Sequence, residues 1–110
     1  MSKSERVKGA DAEREVAAIY REHGFSCDRT PQSGGLRWKG DLVGSMGEHV
    51  EVKRQEIVRP WLWIAQAENE SVGPWAIAFR RNRTKWYALT ELERHVALVA
   101  AALSNTEVSR

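Results

Sequence analysis

Three patterns of apolar residues follow one another along the chain, and each predicts a different element. Ala12, Val16, Ile19 and Tyr20 recur at helical spacing and give a first helix one apolar stripe, ending near His23. Gly24 then stands where a left-handed residue closes a helix. A short strand is expected at residues 25–28. Residues 29–40 carry Pro31, Gly34, Gly35 and Gly40 and read as a loop. Asp41-Leu42-Val43-Gly44 opens a second strand, and a turn at residues 45–47 leads into a third. That third strand, His49-Val50-Glu51-Val52-Lys53, alternates strictly and so predicts one buried and one polar face.

Pro60 is a good first residue for a helix running through Trp61 to Glu70. Trp75-Ala76-Ile77-Ala78-Phe79 is a solid apolar run of strand length, which belongs in the middle of a sheet. Asn82 marks the turn of a hairpin that returns through Trp86-Tyr87-Ala88-Leu89. Thr90-Glu91-Leu92-Glu93 has the spacing of a capping box and opens a last helix, with Leu92, Val96, Val99 and Leu103 on one face. The tail after about residue 104 is polar and expected to fray. The order is α, three strands, α, two strands, α, an α/β sandwich around a small mixed sheet flanked by helices.

Composition narrows the class. The 110 residues suit one domain, and 42% apolar with 29% charged residues is the balance of a globular protein. No apolar run approaches the roughly 20 residues that span a bilayer, and no apolar stretch near the N-terminus suggests a secretory signal. The one cysteine, Cys27, excludes an internal disulfide and fits a reducing cytoplasm, and with three scattered histidines it offers no zinc site. Net charge is only +2. Its distribution says more: Arg80, Arg81, Arg83 and Lys85 form a run without an acid, and Arg29, Arg37 and Lys39 flank the glycine-bearing loop. Such clusters suit a phosphate backbone, although a basic run alone is more often a solvated turn.

Candidate chemistry centres on Glu51 and Lys53, which alternation displays side by side while Val50 and Val52 pack inward. Alone, this is an exposed strand with an ion pair. Asp41 changes the reading: in a hairpin it approaches Glu51, and two facing carboxylates call for a cation or a proton between them. Oxygen ligands suit Mg²⁺ (with Mn²⁺ as substitute), and Lys53 beside it could hold or deprotonate a water for in-line attack on phosphorus. Glu13, at the margin of the first helix's stripe, is preferred over Glu15 as a third acid. Gln66, on the following helix, is a candidate accessory residue. Trp38 in the basic loop could stack on a base or sugar, whereas Trp75 and Trp86 are expected in the core.

Lys8-Gly9, Glu13-Arg14-Glu15, Gly24-Phe25, Arg29, Ser33, Asp41 and Glu51-Val52-Lys53 together resemble the archaeal-type Holliday junction resolvases of the PD-(D/E)xK nuclease superfamily, in a compact bacterial or phage form. The resemblance continues weakly through residues 75–79 and Trp86-Tyr87. It implies a restriction-endonuclease-like αβββαβ core, with Glu13, Asp41, Glu51 and the Val52 carbonyl as metal ligands and Lys53 as the catalytic lysine. It also implies phosphate contacts from Lys8, Arg14, Arg29 and Ser33, and a homodimer that cuts a four-way DNA junction in the cytoplasm of a bacterial or phage-infected cell. Gly40 departs from the proline of the superfamily's name, and the loop from Ser33 to Asp41 is longer than in the archaeal enzymes. Two further readings stand beside this one: a nicking or repair endonuclease for another DNA structure, and a non-catalytic DNA-binding module of the same fold.

Overall fold

The structure is a computed structural model and describes residues 3–31 and 40–108. Its elements follow the expected order: α1 (Lys3–Glu22), β1 (Asp28–Arg29), β2 (Leu42–Val43), a 3₁₀ turn (Ser45–Gly47), β3 (His49–Arg54), α2 (Pro60–Glu70), β4 (Trp75–Arg80), β5 (Tyr87–Leu89) and α3 (Leu92–Val108). The expected first strand at residues 25–28 is instead the two residues of β1, because Phe25 is exposed beyond the helix stop at Gly24. Gly24 does take a positive φ, 92°.

β3, β4 and β5 form a mixed sheet, β3 parallel to β4 and β4 antiparallel to β5. The apolar run at residues 75–79 lies on the central strand, as its composition predicts. β1 and β2 form a separate antiparallel pair, with Asp28 opposite Val43.

The sheet divides two apolar clusters. On one side Val16 and Ala17 of α1 pack with Cys27, Leu42 and Val50, and Val52, Ala78 and Trp86 lean on them. On the other, Trp63 and Ala67 of α2 pack with Trp75 and Ile77, joined by Phe79. Ala17 does the work expected of Ile19, which is exposed, so the buried stripe of α1 is Ala12, Val16 and Ala17. Trp75 is buried as expected, and Trp86 is half-buried.

The last helix departs from its expected start and packing. Thr90 Oγ donates to the Trp75 carbonyl at 2.7 Å, so its hydroxyl ties the chain to β4, and no capping box with Glu93 forms. Leu92, Val96, Val99 and Leu103 share a face, and all four are exposed. A wholly apolar groove of about 310 Å³ runs between His95, Val96, Val99, Ala100 and Leu103. The helix is held through Arg94, whose guanidinium lies 3.2 Å from the buried Glu48, which also accepts from Tyr20 OH at 2.7 Å. No described helix is long and apolar enough to cross a membrane.

Gly44, between β2 and the 3₁₀ turn, has φ 96°, and a Cβ there would collide with the Ser26 carbonyl. Gly9 is its opposite, a helical glycine whose Cβ would meet nothing. Gly44→Ala should therefore destabilise the chain by about 1–3 kcal/mol or more. Gly9→Ala should stabilise it by about 0.5–1 kcal/mol. Urea unfolding of the two variants measures both signs.

Candidate active site

The site forms along the free edge of β3, where α1 and α2 approach from the two faces of the sheet. Alternation puts His49, Glu51 and Lys53 on the α2 side, and in register beside them on β4 stand Trp75, Ile77 and Phe79. Helix α2 covers both rows at once. Its Trp63 and Ala67 press on the apolar row. Gln66 and Glu70, each three residues on from one of these two, meet the polar one. Gln66 Oε1 accepts from Lys53 Nζ at 2.8 Å, and Glu70 Oε2 lies 3.9 Å from His49 Nε2.

Asp41 arrives from the other direction. β2 pairs with β1 rather than forming the expected hairpin ladder with β3. Asp41 itself makes the link: its N–H donates to the Val50 carbonyl at 2.8 Å, and its Oδ2 accepts the Val52 N–H at 2.7 Å. The carboxylate thus takes the place of a strand carbonyl and is fixed against β3. Its proximity to Glu51 is plain from electrostatics. Burial pushes the Glu51 carboxyl up, the Asp41 charge adds to it, and contact with Glu70 adds more, to about 9. Glu51 is also in a hydrogen bond with His49 Nε2 at 2.8 Å. Burial holds that imidazole below its usual range, against the pull of Glu70 and Asp41.

Glu13 projects from α1 into the same cleft. Desolvation raises its carboxyl, opposed by Arg29, whose Nε donates to it at 2.9 Å, and reinforced by the Asp41 charge. A cleft of about 520 Å³ is lined by Glu13, Asp41, Glu51, Val52, Lys53 and Gln66, with Lys8 and Arg54 at its margin. Glu15, two residues along α1 from Glu13, is occupied elsewhere: it binds Arg80 at 2.9 Å, Arg54 at 3.5 Å and Trp86 Nε1 at 3.1 Å.

The expected DNA-contacting residues are scattered in their situations. Arg80 is largely covered, paired with Glu15 and set over the Trp86 ring. Arg81 pairs with Glu56 and Arg14 with Asp11, both at the surface. Arg29 is engaged by Glu13, while Arg83 and Lys85 are exposed in the β4–β5 turn. Ser33, Arg37, Trp38 and Lys39 lie outside the described residues. His49 and Glu70 were not among the sequence candidates. Alternation with Glu51 could have pointed to His49, but Glu70 is brought in only by the packing of α2.

The sequence pattern of a family described as phage putative PDDEXK endonuclease matches residues 4–109. The chain belongs to that family. Among solved structures it is similar to Hjc, a Holliday junction resolvase from the archaeal hyperthermophile Archaeoglobus fulgidus, with a TM-score of 0.51 and 18% identity over 76% of this chain and 72% of that one. At that identity the likeness shows the fold, which is restriction-endonuclease-like. No curated protein matches the chain. The expected superfamily and fold are thereby met, and PD-(D/E)xK nucleases typically depend on a divalent metal.

A raised carboxyl binds its proton more tightly in the folded state than in the unfolded one. Its contribution is full below the unfolded value of 4.5 and is lost as pH rises towards about 9. Glu51→Gln removes that loss. In EDTA, its melting temperature should exceed that of the wild type by a margin that widens between about pH 5 and pH 9. Parallel melting curves across that range would contradict the buried-carboxyl account.

Proposed function

We propose that the protein is a metal-dependent, structure-specific DNA endonuclease, acting on branched DNA such as a four-way junction and working as a homodimer. The observation that carries this reading is the cleft in which Glu13, Asp41, Glu51 and Lys53 stand together around the edge of β3. The family match over residues 4–109 supports one nuclease domain. The family's phage association and the lone buried Cys27 favour the reducing cytoplasm of a bacterial or phage-infected cell.

The residues fit a hard divalent cation. Burial, and after it the neighbouring Asp41 and Glu70, disfavour the ionised Glu51 carboxyl, and a bound Mg²⁺, or Mn²⁺ in its place, would compensate for both. Glu13, Asp41, Glu51 and the Val52 carbonyl, which line the cleft together, would hold it. Bound there, such an ion supplies Lewis-acid polarisation of the phosphate. The chain does the rest. Gln66 fixes the Lys53 side chain, which orients the attacking water. The Val52 N–H keeps the Asp41 carboxylate from turning away. Lys8 at the margin, with the exposed Arg83 and Lys85, offers phosphate contacts.

Asp41→Asn and Glu51→Gln keep shape but remove charge. Each should abolish Mg²⁺-dependent cleavage of a labelled four-way junction while binding of the junction is retained or tightened. Lys53→Ala should slow cleavage by about 10²–10⁴-fold. Flap, nicked and linear DNA run in parallel define the substrate. Cleavage that Asp41→Asn leaves untouched would sink the mechanism.

Helix α3 supports the homodimer. Leu92, Val96, Val99 and Leu103 are spaced four, three and four apart, the heptad pattern that a second identical helix complements. They remain uncovered on a helix whose described side-chain tie to the body is polar. Val96→Glu with Leu103→Glu should leave a folded monomer, read by sedimentation velocity. A dimer unchanged in the double variant would place the interface elsewhere.

A further inference from the structure

Beyond the all-oxygen position beside Asp41, a second set of donor atoms converges on the same strand. His49 and Glu51 are two residues apart on β3 and share its α2-facing side. Glu70 is the last residue of α2 and reaches across to them. His49 Nε2 lies 2.8 Å from Glu51 Oε1 and 3.9 Å from Glu70 Oε2, and donor atoms of the three residues fall within 4.8 Å of one another. One ion at metal–ligand lengths of about 2.0–2.2 Å touches all three after small side-chain adjustments.

We propose that His49, Glu51 and Glu70 form a second divalent-cation site, suited to a transition-metal ion such as Mn²⁺ or Zn²⁺ rather than Mg²⁺, and joined to the Asp41 site through Glu51.

The ligand set decides the class of ion. Mg²⁺ keeps to oxygen and holds its waters, whereas an imidazole nitrogen with two carboxylates suits first-row transition ions. The field points the same way. The C-terminal end of a helix carries its unsatisfied carbonyls, and a carboxylate there is repelled unless a cation answers it. Glu70 occupies that end, and the last turn of α2 holds no basic residue. Among the described residues, His49 is the one basic side chain within 4 Å of Glu51 or Glu70, a single imidazole for two carboxyls. The remaining exposure of Glu70 opens the trio to solvent, so an ion can enter without unfolding α2. Only the sharing of Glu51 rests on the proposed nuclease site. The outer trio stands without it.

The test is a count of ions. Metal-free, full-length protein is titrated with Mn²⁺, and the free ion is followed by electron paramagnetic resonance. Wild type should bind two Mn²⁺ per chain, of which excess Mg²⁺ displaces one. Glu70→Gln and His49→Gln should each bind one, with the outer affinity reduced at least about tenfold. Both substitutions keep a hydrogen-bonding amide in place, and melting curves check that the variants are folded. Asp41→Asn should retain the outer ion and lose the inner one. Loss of the outer ion in the trio variants, with Asp41→Asn binding both, keeps this inference and overturns the nuclease site. Two Mn²⁺ in folded Glu70→Gln and His49→Gln overturns the inference, as does displacement of both ions by Mg²⁺.

Discussion

The Val52 N–H, offered at the edge of β3, is answered by a side chain instead of a strand. Asp41 accepts it and donates its own N–H to the Val50 carbonyl, so one residue joins the β1–β2 pair to the three-stranded sheet. The place of Asp41 in the candidate site follows from that junction. Were β2 to pair fully with β3, a backbone carbonyl rather than the Asp41 carboxylate would take the Val52 N–H. Because it does not, the edge is open to α1 on one side and α2 on the other, and acids from three elements share one cleft. An edge strand ordinarily risks pairing with another chain; here the same exposure is turned into a charged cleft.

That arrangement costs stability before it does anything else. Glu51 is 3% exposed, faces Asp41 and Glu70, and is drawn towards its protonated form. The apolar clusters on the two sides of the sheet tolerate this because they are complete without the site. Trp63, Ala67, Trp75 and Ile77 pack independently of Glu51, although the same helix and strand supply both. Period two on β3 and a three-to-four spacing on α2 thus let a dry core and a charged row lie side by side beneath one helix.

Much of this was legible in the sequence. Element order, the central place of residues 75–79 and the common face of Glu51 and Lys53 all come from local periodicity, which backbone geometry enforces residue by residue. What was not legible depends on distance in space. Glu70 joins the site only through the crossover that docks α2, and Ile19 is displaced from the core by Ala17 because the helix rolls to bring small residues against Cys27 and Leu42. The capping box failed for a similar reason: the Thr90 hydroxyl found a carbonyl on β4 that no reading of four consecutive residues could supply. Glu13 and Glu15 show the limit most clearly. Two residues apart on one helix, they differ in role because Arg54, Arg80 and Trp86 claim the second.

The engagement of the arginines bears on how the molecule would meet a polyanion. Arg14, Arg29, Arg80 and Arg81 are each already held by a carboxylate. A phosphate arriving at any of them evicts an internal anion, and the encounter becomes an exchange of partners rather than a neutralisation of bare charge. Long-range attraction is muted accordingly, while a backbone whose phosphates fall at the right places recruits several exchanges together.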